Sequence, residues 1–260
     1  MRYYGKLPIV LLSELATEKS DSSNCRIAAY LLANLDRADQ IGIEQLAQAC
    51  YVSTSTISRF CREIGLDSFI ELRDLLRSEG RMFTLYGAGQ DARQQSRLFA
   101  GRVTESLQLA LDTLDYAALD ALAADLHAAE RISIFGLLKA ETAAMNLQSD
   151  LVMLGKPAVT KVAFREQMVH LASARRGETV LIFSYTGVYF DYGLPQRILH
   201  GADRPNLWFI TGDPGAAERF PGARVLAFSS KQDFASHPYQ LQLVASLIAQ
   251  RFAAIAPKAR

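Results

Sequence analysis

Ser53, Ser55, Thr56, Ser58, Arg59 and Arg62 have the types and spacing to do chemistry together. Coiled into a helix, the segment puts Ile57, Phe60, Cys61 and Ile64 on one face and Ser55, Arg59 and Arg62 on the opposite one, flanked by Thr56, Ser58 and Glu63. Ser53 is placed to cap that helix, because its hydroxyl can accept from an amide of the first turn. Short hydroxyls near a helix start let the backbone come close to a nucleic-acid phosphate. Two arginines one turn apart can reach phosphates or pair with guanine edges. The plain alternative is a solvated helix face carrying two surface arginines. Other reactive side chains lack such a pattern. His127, His170, His200 and His237 are scattered without metal or dyad spacing, and His237-Pro238 reads as the start of the last helix. No catalytic acid–base set, metal site or cofactor is expected.

The elements that must hold these residues follow from hydrophobic spacing. Residues 7–16 and 25–35 are amphipathic at helical period, and further helices are expected over 43–49, 54–64 and 68–79. Gly80 and the stretch YGAGQDARQQ mark a change of composition. We therefore divide the chain into a helical domain over 1–80, a linker over 81–95 and a second domain over 96–260. Helical spacing resumes at Ser96 and again at Tyr116. After that, short apolar runs alternate with helices: RISIFG, ETVLIFS, NLWFIT and RVLAF. Such runs between helices predict parallel strands buried on both faces, so the expected class is an all-α domain followed by an α/β three-layer sandwich. A final helix is expected over 239–255.

Composition narrows the field less. Twenty-eight basic side chains oppose twenty-seven acidic ones, a net charge of +1 over 260 residues. In the N-terminal third Arg59, Arg62, Arg73, Arg77 and Arg81 are interleaved with Glu63, Asp67, Glu71, Asp74 and Glu79. Any nucleic-acid surface must be a local patch. Cys25, Cys50 and Cys61 form an odd, unpatterned set that fits a reducing compartment. The opening MRYYGKLPIV lacks a signal-peptide pattern, and no apolar run has membrane-spanning length, so a cytoplasmic protein is expected.

Residues 43–76 resemble the N-terminal domain of the RpiR family of bacterial regulators. The family run V-S-x-x-T-I-S-R-F-C-R-x-x-G-x-x-x-F-x-E-L is matched by Val52, Ser53, Thr56, Ile57, Ser58, Arg59, Phe60, Cys61, Arg62, Gly65, Phe69, Glu71 and Leu72. The resemblance implies a helix-turn-helix that binds a DNA operator through Ser53, Ser55, Thr56, Ser58, Arg59 and Arg62. Asp67 departs from it by placing an acid near that face.

The same family carries a SIS (sugar isomerase) domain next, and the α/β pattern from Ser96 resembles one. That resemblance implies a pocket for a phosphorylated sugar or related carbohydrate at strand-end loops, where free amides and a helix start converge. In the loop after RISIFG the family usually has G-x-G-x-S; here Gly136 is followed by Leu137, Leu138, Lys139 and Ala140, with Lys139 offering a charge in place of lost donors. The loop Ser184, Tyr185, Thr186, Gly187 resembles S-x-S-G, although Val188 and Tyr189 supply no further hydroxyl. Each loop has a plain alternative, an exposed lysine and a packing turn. Thr211-Gly212-Asp213 reads as a structural turn, and Tyr185, Tyr189, Phe190 and Tyr192 as core or pocket mouth. The expected function is a ligand-responsive transcriptional regulator acting as a homodimer or homotetramer. The alternatives are a regulator whose second domain only dimerises, and a sugar-phosphate isomerase.

Overall fold

The computed structural model describes residues 6–17, 19, 21–35, 37, 40–77, 85–189, 202–219 and 222–255. Its contacts form two compact units: Met1–Met82 with Val162–Val169 and Asp191–Gly193, and Phe83–Lys161 with His170–Phe190 and Leu194–Arg260.

Within the first unit, the described helices before residue 78 are α1 (Lys6–Thr17), α2 (Ser23–Ala33), α3 (Ile43–Ala49), α4 (Thr54–Glu63) and α5 (Phe69–Arg77). Leu7, Val10 and Leu11 of α1, Ile27 and Leu31 of α2, Leu46 of α3 and Ile57, Phe60 and Cys61 of α4 fill one core. Burying each such leucine, isoleucine or phenylalanine contributes about 1.5–3 kcal/mol, which is what lets helices this short hold together. Polar side chains set the starts. Ser22 accepts from the amide of Cys25 at α2, and Ser53 from that of Thr56 at α4. Glu71 accepts from the Asp67 amide while Ser68 accepts from the Glu71 amide, a reciprocal closure ahead of α5.

In the second unit α6 (Ala92–Thr113) and α7 (Tyr116–Ala128) precede β1 (Arg131–Phe135) and α8 (Lys139–Met153). The helix expected from Ser96 begins at Ala92 instead. The reason is Asp91, whose carboxylate accepts from the Gln94 amide and starts the helix inside the polar stretch. Along the chain then come α9 (Phe164–Ser173), whose residues before His170 group with the first unit, and β2 (Glu178–Phe183), β3 (Asn206–Thr211), α10 (Ala216–Arg219), β4 (Arg224–Ala227) and α11 (Tyr239–Ile255) of the second. The strands form one parallel sheet in the order β1-β2-β3-β4, with Ile132 opposite Thr179, Thr179 opposite Asn206, and Trp208 opposite Arg224. Every residue of β2 is buried. Ile132, Ile134, Leu181, Phe183, Trp208, Ile210 and Leu226 pack with α7, α8 and α11 into the second core.

One feature outside the named strands sets the winding of the sheet. Val159 pairs in parallel with Ser133 on the free side of β1, its amide bonded to Ile132 O and its carbonyl to the Ile134 amide. The chain therefore leaves β1 outward through α8 to Val159, then returns past β1 to β2. The direction of winding reverses between β1 and β2, and in open parallel sheets the crevice beyond the carboxyl ends of such a pair is the usual ligand site. Gly136 and Ser184 directly follow those two ends. Among the described residues no helix is long and apolar enough to cross a membrane.

Candidate functional site

On α4 the inward face is as the spacing predicts, with Ile57, Phe60 and Cys61 fully buried. Ser53, Ser55, Arg59 and Arg62 are exposed, and Thr56 and Ser58 are half-buried. The hydroxyl of Ser53 lies 2.7 Å from Ser55 Oγ and 2.9 Å from Thr56 Oγ1, so three hydroxyls share one patch at the helix start. Ser58 instead donates back to Thr54 O, and Arg62 Nε donates to Ser58 O. Arg59 Nε stands 3.8 Å from Glu63 Oε1, while Asn24 donates to the other oxygen of Glu63. An exposed pair of this kind is worth at most about 1 kcal/mol, so Arg59 can leave it for a phosphate or base.

The turn between α3 and α4 holds a residue that helical periodicity could not single out. Tyr51 has φ +53 and is 89% exposed. The amides of Tyr51 and Val52 donate to Gln48 O and Ala47 O, the closure that ends helices and normally uses glycine at this position. Gly65 occupies the equivalent place after α4, at φ +86. The exposed acid Asp67 lies just beyond it, its amide bonded to Glu71.

The crevice is lined differently from what the loop motifs suggest. Gly136 is a packing glycine: a Cβ there would lie 2.6 Å from the carbonyl carbon and oxygen of Ala140. Leu138 precedes α8 with φ 52 and no side-chain cap. Lys139 follows it, its ammonium 5.0 Å from the centre of the Phe234 ring. Burial lowers the Lys139 pKa from its ordinary value. Burial, and then the charge of Lys139, push the His237 imidazole down to about 3. His237 stacks on Tyr185 with ring centres 4.4 Å apart, and Tyr185 OH meets Ser230 Oγ and Gln240 Oε1. The segment after β4 thus brings Ser230, Phe234 and His237 to the crevice. No motif announces them; the left-handed Gln232 (φ +53) and the cis His237-Pro238 bond mark the local backbone as unusual.

In the other loop the Gly187 amide donates to Ser184 O and closes a turn, with Gly187 at φ +69. Ser184 Oγ accepts from the Tyr189 amide 3.2 Å away, and both residues are buried. Ser184 and Tyr185 are buried and bonded within the fold, and Thr186 is half-buried. Thr211 is buried and donates to Tyr185 O, a structural turn as read from the sequence. Phe190, Tyr192 and His200 lie outside the described residues.

A serine, histidine and glutamate do meet elsewhere. Ser133 Oγ donates to Glu178 Oε1 at 2.5 Å, and His170 Nε2 lies 2.6 Å from the same oxygen and 2.9 Å from Ser133 Oγ. Burial works against the Glu178 carboxylate, but hydrogen bonds from His170 and Ser133 outweigh it and hold its pKa low. One ring nitrogen faces both partners, so the imidazole cannot pass a proton between them as a nucleophilic triad requires. The cluster ties His170 to β1 and β2.

Residues 11–80 match the model of the helix-turn-helix domain, rpiR family. The N-terminal helices are an rpiR-family helix-turn-helix domain. Over 168 residues the chain is 27% identical to the HTH-type transcriptional regulator HexR of Pseudomonas aeruginosa, a match covering 62% of this chain and 59% of that protein. The chain spans about three fifths of the length of the curated relatives it matches. Its fold is similar to that of Vibrio vulnificus NanR, solved with ManNAc-6P, at a TM-score of 0.52 and 18% identity, covering 96% of this chain and 90% of that one. Escherichia coli CFT073 c3406 is similar over 66% of this chain and 96% of its own, at a TM-score of 0.53 and 14% identity. The rpiR-type helices are thus followed by an α/β fold shared with these two proteins.

Proposed function

We propose that this protein is a cytoplasmic transcriptional regulator, without enzymatic activity, whose helical domain reads a DNA operator and whose α/β domain senses a phosphorylated sugar. The observation that carries the first half is the exposed row Ser55, Arg59 and Arg62 on α4, in a domain matched to rpiR helix-turn-helix domains. Ser53, Thr56 and Ser58 complete the operator face, Ser53 and Thr56 as hydroxyls toward phosphate and Ser58 by close packing of its backbone. The second half rests on the crevice at the β1–β2 reversal. There Lys139, after β1, offers a cation and Thr186, after β2, a half-buried hydroxyl, while Gly136, Ser184, Tyr185 and Gly187 shape the two loops. The ligand bound to Vibrio vulnificus NanR, ManNAc-6P, is the kind of effector this crevice suits. For this division of labour we keep the limits 1–80, 81–95 and 96–260, with α6 beginning at Ala92 inside the stretch read as linker.

A dimerisation-only reading of the second domain draws on Leu138, which fills the place of a glycine, and on the bond that occupies the Ser184 hydroxyl. A thermal-shift screen of phosphorylated sugars, followed by calorimetric titration, separates the two. An effector should bind wild type and bind at least about tenfold more weakly to Lys139→Gln, Thr186→Val, since each charge-assisted hydrogen bond is worth about 1.5–3 kcal/mol. Equal affinity in both proteins places the pocket elsewhere, and an empty screen leaves the dimerising role.

A further inference from the structure

A second cleft opens at the opposite end of the sheet, with a volume of about 330 Å³. Arg176, Arg204 and Arg224 converge on it, and Pro205, Asn206 and Leu207 form part of its wall. None of its described lining residues is acidic. The arginines arrive together because each stands at or just before the start of a strand: Arg176 ahead of β2, Arg204 ahead of β3, and Arg224 as the first residue of β4. Parallel strands in register bring those three starts side by side.

The guanidinium groups are held in place. Arg176 Nη2 donates to Ala202 O at 3.1 Å and Arg204 Nη1 to Gly222 O at 2.7 Å. Arg224 lies over the Trp208 ring, 4.2 Å from its centre, and bonds Asp125. The same Asp125 oxygen also accepts from Asn206 and from the indole of Trp208, so it is committed to the wall. Glu130 stands beside Gly177 at the edge, and the exposed Asp203 accepts the Arg176 amide through its carbonyl. A guanidinium carries five donors in a fixed fork, so Arg176, anchored through one nitrogen, keeps most of its donors for an anion.

We propose that this cleft is a second anion site, taking the phosphate group of a small phosphorylated molecule. The site is independent of the crevice at the carboxyl ends of the strands. Planar guanidinium forks match phosphate oxygens two at a time, and the cleft has the size of a small-molecule pocket, not of a flat backbone-tracking surface. No residue of the operator face or of the Lys139 crevice lines it.

The probe is inorganic phosphate, followed by phosphorus NMR against the full chain carrying Lys139→Gln and Thr186→Val, which disables the first crevice. Saturable binding is expected to persist there and to weaken at least about tenfold when Arg176→Gln and Arg204→Gln are added. Arg176→Gln alone removes one exposed guanidinium, and should weaken binding in the same direction with an unchanged circular dichroism spectrum. Absent binding, or binding indifferent to both arginine changes, overturns the site. Displacement of phosphate by a short DNA duplex of arbitrary sequence assigns these arginines to nucleic-acid backbone, and overturns the small-molecule occupant.

Discussion

At the scale of single residues, the exposed face of α4 proposed to meet the operator could be read from spacing alone, because a helix converts sequence separation directly into direction. Arg59 is its most exposed test. Arg59→Ala removes a side chain held only by a weak surface pair with Glu63, so the fold should be unaffected while specific operator affinity falls by about 1–3 kcal/mol. Fluorescence anisotropy at fixed salt checks this, and unchanged affinity refutes the assignment. Tyr51 was not legible, since no pattern of residue types signals a left-handed backbone. A non-glycine residue there costs about 1–2 kcal/mol, partly offset by the flexibility of glycine when unfolded. Tyr51→Gly should therefore raise stability by about 0.5–1 kcal/mol in urea titration, and a loss would mean that the ring makes a stabilising contact. His237 gives a pH test. Its folded pKa of about 3 lies below that of an exposed imidazole, so above pH ~6.5 it is neutral in both states and contributes no pH dependence. As pH falls through ~6.5 toward 3 the unfolded chain takes up a proton that the folded chain refuses, and stability drops by about 1.4 kcal/mol per pH unit. His237→Gln should flatten the urea midpoint between pH 6 and 4; an unchanged slope rules out the buried neutral imidazole.

At the scale of elements, the short apolar runs gave β1, β2 and β3 because a strand buried on both faces leaves no room for polar alternation, whereas β4, also expected to be buried, is an edge strand with only Leu226 fully covered. The Val159 bridge was invisible, being a single residue without a run of its own, and it is what locates the reversal of winding. The loop motifs left out how the backbone packs around them. Sequence likeness marks Gly136 and Ser184 as candidate ligand groups; the structure adds that the start of α8 packs against the Gly136 Cα and that Ser184 Oγ accepts the Tyr189 amide. Side-chain hydrogen bonds that close a loop on itself depend on backbone path, which residue type does not encode. Gly136→Ala puts a methyl carbon 2.6 Å from backbone atoms that a rotamer change cannot move. Displacing α8 from the sheet should cost about 1–3 kcal/mol, the range for overpacking a core. A melting temperature within error of wild type would contradict that packing role.

At the scale of the whole molecule, regulation requires that binding at one domain alter the free energy of binding at the other. Helix-turn-helix proteins commonly read two half-sites as two-fold dimers, so we expect a dimer or a dimer of dimers by light scattering at micromolar concentration. A monomer with full operator affinity would contradict this. If the effector selects between DNA-competent and incompetent populations, the coupling is a single free energy shared by both ligands. The factor by which saturating effector changes operator affinity must then equal the factor by which saturating operator changes effector affinity. A coupling of 1–3 kcal/mol, typical of allosteric proteins, corresponds to about 5–150-fold in both directions. Anisotropy with and without effector gives the first factor, and calorimetric titration of effector into free and operator-bound protein gives the second. Equal factors above unity identify a sensor. An effector that binds but leaves operator affinity unchanged has no differential affinity for the two populations, and its crevice then plays no part in regulation.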